Sequence, residues 1–283
     1  MNIKQFDDWL SSDDKQSLIM GILNVTPDSF SDGGQYFEKN TAVEHALDMV
    51  ENGADIIDIG GESTRPFSDP ISLDDELSRV IPVIEGIRKK SDVCISIDTT
   101  KSMVARKALN VGASIINDVS AMEIDPLMAD VAKQFDCPLI IMHMKGTPKD
   151  MQDNPKYESL ISDIKDYLIE RIDFAMSKGV YRDKIIIDPG IGFGKTVENN
   201  FEIINNLYHF VKLNFPVLLG ASRKSFIGIS LNLPENERLE GSLAANVIGL
   251  QQGVKIFRVH DVAETNKALL IANKIFNSTH LIS

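Results

Sequence analysis

Acids, amides and cations recur in this chain at the ends of short apolar runs. In order the runs finish with Asn24, with Gly60-Gly61-Glu62-Ser63-Thr64-Arg65, with Asp98, with Asn117-Asp118, with His143, with Asp188, with Ser222-Arg223-Lys224-Ser225 and with Arg258-Val259-His260-Asp261. Carboxylates and amides accept or donate in pairs along the edge of a polar heterocycle, whereas forked guanidinium donors, an imidazole N–H and the amides at a helix start suit an anion such as phosphate. The cations are concentrated, because Arg223, Lys224, Arg258 and His260 all follow the last two runs. Taken singly, the acids have plain structural uses: Asp98 stands where it can cap a helix, and Asn117 or Asp118 where it can close a turn. An internal network, in which Arg258 and Lys224 pair with Asp188 and Asp98, is the alternative to an anion site.

Other chemistries lose support on spacing. Gly190-Ile-Gly192-Phe-Gly194-Lys195-Thr196 falls short of a Walker A loop because its first glycine would have to stand at Pro189. A dinucleotide fingerprint fails because its third glycine falls on Lys195. These glycines are expected to let the backbone after the sixth run approach a planar ligand closely. There is no HExxH pair for zinc and no Gly-x-Ser-x-Gly elbow for a serine nucleophile. Cys94 and Cys137 each lie in or beside an apolar run, which suits reduced, buried thiols.

The elements that must position these residues alternate along the chain. Eight strands are expected at 18–25, 54–60, 93–98, 114–119, 138–144, 185–189, 216–221 and 254–259, and helices at 41–52, 73–90, 101–110, 125–135, 157–178, 197–213, 238–252 and 262–276. Continuous hydrophobicity, as in Ile185-Ile186-Ile187, is what parallel strands covered on both faces require. Units of about 32 residues match a βαβ element, and eight of them close into a (β/α)8 TIM barrel, an α/β fold that commonly occupies about 250 residues as a single domain. We therefore expect an N-terminal extension over 1–17, a helix or flap around Trp9, then the barrel over 18–276 and a tail over 277–283. In such a barrel the site lies where the strands end, and phosphate sites favour the loops after strands seven and eight.

Composition excludes more than it selects. A net charge of −12 over 283 residues reverses the attraction that nucleic acid would need. No apolar run is long enough to cross a membrane and the first ten residues lack a signal-peptide pattern, so a cytoplasmic location is expected.

Met20-Gly-Ile-Leu-Asn24-Val-Thr-Pro-Asp28-Ser-Phe30-Ser-Asp32-Gly-Gly34 resembles the first signature of the dihydropteroate synthases. Gly53-Ala-Asp-Ile-Ile-Asp58-Ile-Gly-Gly-Glu62-Ser-Thr64-Arg65-Pro66 resembles the second. The resemblance continues through Ile95 to Thr99, Ile116 to Asp118, Met142 to Pro148, Asp188 to Gly194, Ser222 to Phe226 and Arg258 to Asp261; Thr100, Ser102 and Lys145 are slight departures. It implies an enzyme that condenses 6-hydroxymethyl-7,8-dihydropterin diphosphate with p-aminobenzoate, releasing diphosphate.

By the same resemblance the pterin contacts Asp98, Asn117, Asp188 and Lys224, with Met142 lining the pocket, and the diphosphate meets Thr64, Arg258 and His260. Mg²⁺ bridges that diphosphate to Asn24. The p-aminobenzoate ring packs between Phe193, beside Gly192, and Pro66, with Ser225 at a helix start taking its carboxylate, and sulfonamides compete there. Loops carrying Phe30, Ser31 and Asp32, and Arg65 and Pro66, fold over the site. Catalysis is electrostatic: Arg258 and His260 steady the departing anion, Asp98 favours the pterin cation, and Lys224, Asp32 and Arg65 complete the set. A homodimer formed through the helices after strands six to eight is also implied. Two other readings stay open: a methyltetrahydrofolate-dependent methyltransferase donating to a corrinoid protein, and a silent paralogue that binds pterin without turnover. If Asp98 has this role, Asp98→Asn lowers turnover by about 10² or more with folding intact; turnover near that of the parent chain would refute it.

Overall fold

Runs such as Ile185-Ile186-Ile187 offer no polar face to water, so strands made of them are stable only with cover on both sides. The computed structural model, which describes residues 1–26, 34–63, 69–146, 151 and 155–278, provides that cover. Its strands are β1 (Leu18–Asn24), β2 (Ile56–Gly60), β3 (Cys94–Asp98), β4 (Ile115–Asp118), β5 (Leu139–Met142), β6 (Ile185–Asp188), β7 (Leu218–Leu219) and β8 (Ile256–Val259). All pair in parallel in the order β6-β5-β4-β3-β2-β1-β8-β7. Ile187 and Val217 form a single bridge across the remaining seam, so the barrel is nearly closed.

The helices are α1 (Ile3–Ser11), α2 (Gly34–Glu51), α3 (Leu73–Arg88), α4 (Ser102–Asn110), α5 (Met128–Phe135), α6 (Leu160–Ser177), α7 (Val197–Asn205), α8 (Tyr208–Val211), α9 (Ser225–Leu231), α10 (Leu239–Gln251) and α11 (Val262–Phe276). The expected strands are present but shorter, trimmed by one or two residues at one end or both. The expected helix over 197–213 is broken into α7 and α8, and α9 was not foreseen. Its apolar sequence, Ser225-Phe-Ile-Gly-Ile-Ser-Leu231, shows no polar face, and Phe226, Ile227 and Gly228 are all buried.

Because strand side chains alternate, the barrel divides its residues into two sets. Outward positions such as Ile57, Ile59, Ile95, Ile97, Ile185, Ile187 and Phe257 join the large core beneath the helices. Inward positions stack in layers. The lower layer, Leu18, Met20, Ile56, Cys94, Ile115, Ile140, Ile186, Leu218 and Ile256, forms one cluster with Phe6, Trp9 and Leu10 of α1. The first helix is therefore the plug of the barrel's lower mouth. Asn2 and Gln5 cap α1 reciprocally, Trp9 Nε1 donates to Gln16 O at 2.8 Å, and Lys184 pairs with Asp7 at 2.8 Å.

Phe6 is fully buried and stacks on Trp9 with ring centroids 5.5 Å apart. Phe6→Ala should lower the unfolding free energy by about 3–5 kcal/mol in urea titrations. A loss below about 1 kcal/mol would show that the barrel closes without its plug.

Candidate active site

Above the apolar floor, the inward positions turn polar. Asp58 on β2, Ser96 and Asp98 on β3, Asn117 on β4, Asp188 on β6 and Arg258 on β8 all face the barrel interior, and the four acids and amides among them are 7% exposed or less. Alternation places them there: each is two or four residues beyond an inward apolar side chain, as Asp58 follows Ile56 and Arg258 follows Ile256.

Arg258 is the centre of this layer. Its Nε donates to Asp58 Oδ2 at 2.6 Å and its Nη2 to Asp98 Oδ2 at 2.7 Å, while Asn117 Nδ2 donates to the same Asp58 oxygen at 3.1 Å. Thus Arg258 does pair with Asp98, as the internal-network alternative has it, but through Asp58 and Asp98 rather than Asp188. The second oxygens, Asp58 Oδ1 and Asp98 Oδ1, are buried without a donor among the described residues. A buried acceptor in that condition costs about 1–3 kcal/mol, which makes each a ready partner for a ligand N–H.

Burial pushes the Asp98 carboxyl well above the ordinary carboxylate range; Arg258 pulls it back, and nearby Asp58 and Glu76 push it up further. Asp188 rises to about 6, again through burial first, offset by the Gly190 N–H at 2.7 Å and by Lys224. Burial opposes the Arg258 charge, yet Asp58 and Asp98 more than offset this and hold the guanidinium firmly protonated. His260 differs from the cation expected of it. Burial and then Arg258 depress its imidazole to about 3, so it is neutral near pH 7 and its Nδ1 lies 3.1 Å from Ser222 Oγ.

Lys224 and Ser225 are set by a tight turn. Arg223 adopts a left-handed conformation with φ 55°, held by its fork on Asp261 and by its own N–H on Ser242 Oγ at 2.9 Å. Arg223 is therefore a brace between the loops after β7 and β8 and does not join the cation cluster expected for phosphate. Ser225 opens α9, and Lys224 Nζ stands 4.2 Å from the centroid of the Phe193 ring. Phe193 and Met142 share a small apolar cluster with Val119, Met144 and Met151.

Two of the glycines after β6 are required by a neighbouring backbone. Gly190 and Gly194 have φ +73° and +66°, and a Cβ would lie 2.0 Å from His143 O at the first and 2.2 Å from Lys145 O at the second. They let this loop pack on the backbone that follows β5. Asn24 ends β1 beside Gly60, where a side chain would fill the space between Asn24 and Asp98. Asp118 closes a turn, accepting from Ser120 and Met122, and His143 packs edge-on against Tyr167.

The barrel thus brings together Asp98, Asn117, Met142, Asp188, Phe193, Lys224 and Arg258, with Asn24, Gly192, Ser225 and His260 on the surrounding strand ends and loops. Phe30, Ser31, Asp32, Thr64, Arg65 and Pro66 lie outside the described residues. Sequence reasoning missed Asp58, although a lone acid inside Ile56-Ile57-Asp58-Ile59 was a visible signal, and it missed Ser96 and Lys195.

The family described as pterin binding enzyme matches residues 20–260. A dihydropteroate synthase of Clostridium beijerinckii is 48% identical over 255 residues, covering 90% of this chain and 92% of the relative. Among solved structures, the dihydropteroate synthase of Clostridium difficile, crystallised in the presence of pteroic acid, superposes with a TM-score of 0.88 at 46% identity over 93% of this chain and 98% of that one. The Xanthomonas albilineans dihydropteroate synthase with 4-aminobenzoic acid gives 0.88 at 40% identity over 93% and 94%.

Asp188 allows the buried charge to be weighed. Between its ordinary value of 3.8 and about 6, the folded protein keeps a proton that the unfolded chain has released, so stability from this group is lost as pH rises through that window. Asp188→Asn should therefore gain on the parent chain as pH is raised from about 4 to about 7, by up to about 3 kcal/mol. Urea unfolding at each pH measures this, and a difference that stays constant would contradict a buried, ionised Asp188.

Proposed function

We infer how the site divides its work from the premise that this chain belongs to the dihydropteroate synthases, within the family of pterin-binding enzymes, and is thus a transferase of folate biosynthesis. The observation that carries the reading is the polar layer itself. Four strands place Asp58, Asp98, Asn117 and Asp188, all buried, on the inward face of the barrel, two of their oxygens lack a donor among the described residues, and Arg258 bonds both Asp58 and Asp98.

A pterin offers adjacent N–H donors on its amino-pyrimidinone edge. Asp188 and Asn117 receive that edge, Asp98 accepts from the ring on the other side, Met142 packs its face, and Lys224 adds a donor. A charge-assisted hydrogen bond of this kind is worth about 1.5–3 kcal/mol. The diphosphate then lies toward the loops after β7 and β8, where Arg258 uses two of its five N–H groups on Asp58 and Asp98 and keeps others for phosphate oxygens. His260 serves there as a neutral hydrogen-bonding imidazole; an arriving diphosphate favours its protonation, because opposite charge raises a depressed imidazole pKa.

In the reaction the bond between the pterin methylene and diphosphate oxygen breaks, the electron pair leaves with diphosphate, and the aniline nitrogen of p-aminobenzoate forms the new C–N bond and loses a proton to solvent. The chain supplies no nucleophile. Arg258, His260 and Thr64 steady the departing anion, and the Asp98 carboxylate favours positive charge on the pterin. Phe193 and Pro66 hold the p-aminobenzoate ring, Ser225 meets its carboxylate, and sulfonamides compete for the same place. Segments carrying Phe30, Ser31, Asp32 and Arg65 exclude water.

A magnesium ion fits this arrangement in one way. No cluster of three acidic, histidine or cysteine ligands exists among the described residues, but the space left by Gly60 gives the Asn24 amide oxygen access to the pocket. One neutral oxygen suits an ion held chiefly by substrate phosphate and water, and the ion's contribution is to neutralise the diphosphate charge. We also assign a homodimer, since α10 and α11 expose Ile248, Leu270, Ile271, Ile275 and Phe276. A cytoplasmic place is supported by two buried cysteines in the thiol form, and no helix is long and apolar enough to cross a membrane among the described residues.

Incubation of purified protein with pterin diphosphate, p-aminobenzoate and Mg²⁺ should release diphosphate only when p-aminobenzoate is present, and chelation of the metal should abolish release. Pterin binding without release would favour a silent paralogue, and methyl transfer to a corrinoid would favour the third reading.

A further inference from the structure

Lys195 is 2% exposed and has no carboxylate within hydrogen-bond distance among the described residues. Its Nζ instead lies 2.9 Å from His143 Nδ1, 3.3 Å from His143 O and 2.9 Å from Phe193 O. Three neutral acceptors in tripod geometry match the three N–H donors of an ammonium group, and they place the His143 proton on Nε2. A cation buried this way is costly, and burial first, then Lys224, bring the amine down to about 7 although Asp188 pulls the other way.

The three contacts join two segments. His143 belongs to the chain after β5 and Phe193 to the glycine loop after β6. The rest of that loop is already tethered: the Gly190 N–H donates to Asp188, the Gly192 N–H to Asn200 Oδ1 at 2.7 Å, and Tyr157 Oη donates to Gly194 O at 2.7 Å. Gly190 and Gly194 press the loop against the His143 and Lys145 carbonyls with no room for a side chain. Lys195 holds the carbonyl of Phe193 itself, the residue whose ring stands below Lys224 in the Met142 cluster.

We propose that Lys195 is a positioning residue for the p-aminobenzoate subsite, fixing the Phe193 ring by tying the Phe193 carbonyl to the His143 backbone. The inference rests on the reading that Phe193 packs p-aminobenzoate, and adds a residue that itself touches no substrate.

The test is steady-state kinetics in both substrates, with thermal melts, for Lys195→Met, Lys195→Gln and Phe193→Ala. Lys195→Met keeps the stem and removes every donor, so KM for p-aminobenzoate should rise about tenfold or more while KM for pterin diphosphate stays within about twofold. Lys195→Gln, shorter and with two donors, should fall between, at about threefold, and decides the matter alone if the Met variant does not fold. A merely structural lysine would move both KM values together or only the melting temperature, and either result overturns the proposal. So does a folded Lys195→Gln protein whose p-aminobenzoate KM matches that of the parent chain. If Phe193→Ala raises that KM and the Lys195 variants do not, only the role of Lys195 fails. If Phe193→Ala leaves it unchanged, the reading of Phe193 fails with it.

Discussion

Charged side chains inside a closed barrel must be compensated where they stand, because neither water nor a distant counterion can reach them cheaply. Arg258 meets that requirement for Asp58 and Asp98 with two short bonds, and Asn117 adds a second donor to Asp58. Everything else in the site is arranged around this compensated centre. It leaves one oxygen of each acid uncommitted among the described residues, so the protein holds acceptors in position before any ligand arrives. Such preorganisation puts the cost of orienting the acids into folding rather than into binding.

The barrel can afford a destabilising layer because the layers beneath and around it are apolar. Phe6, Trp9 and Leu10 extend the floor downward from Ile56, Cys94, Ile115, Ile140, Ile186 and Ile256, and the outward faces of the same strands feed the helix-covered core. The division between stability and chemistry therefore runs along each strand. In β2, Ile56 belongs to the floor, Ile57 and Ile59 to the wall, and Asp58 to the site. Alternation with a period of two makes this possible within five residues.

Much of this was legible in the amino-acid order. Apolar runs of strand length, each ending in a polar side chain, gave the eight-fold alternation and pointed to Asp98, Asn117, Asp188, Lys224 and Arg258, all of which the fold brings to one end of the barrel. What reading strand ends could not give was the middle of a strand: Asp58 and Ser96 lie two residues earlier, on the inward face. Arg223 looked like a member of the phosphate cluster because its neighbour in sequence is Lys224, yet the left-handed turn sends the two apart and Asp261 claims the guanidinium. For Gly190 and Gly194 the sequence could not show that the backbone after β5 leaves no room for a side chain, since that backbone is near only once the chain has folded. Helix α9 escaped notice because its seven residues are apolar or small throughout, Ile229 and Leu231 standing exposed as well as Phe226 and Ile227 buried, so it carries no amphipathic period.

The most direct test of the compensated polar layer is a crystal structure of this chain grown with pteroic acid. The heterocycle should lie within the barrel, its amino-pyrimidinone edge on Asp188 and Asn117 and the Asp98 carboxylate facing it from the other side, with Arg258 still bridging Asp58 and Asp98. Pteroic acid bound outside the strand ends, with Asp98, Asn117 and Asp188 untouched, would contradict the account.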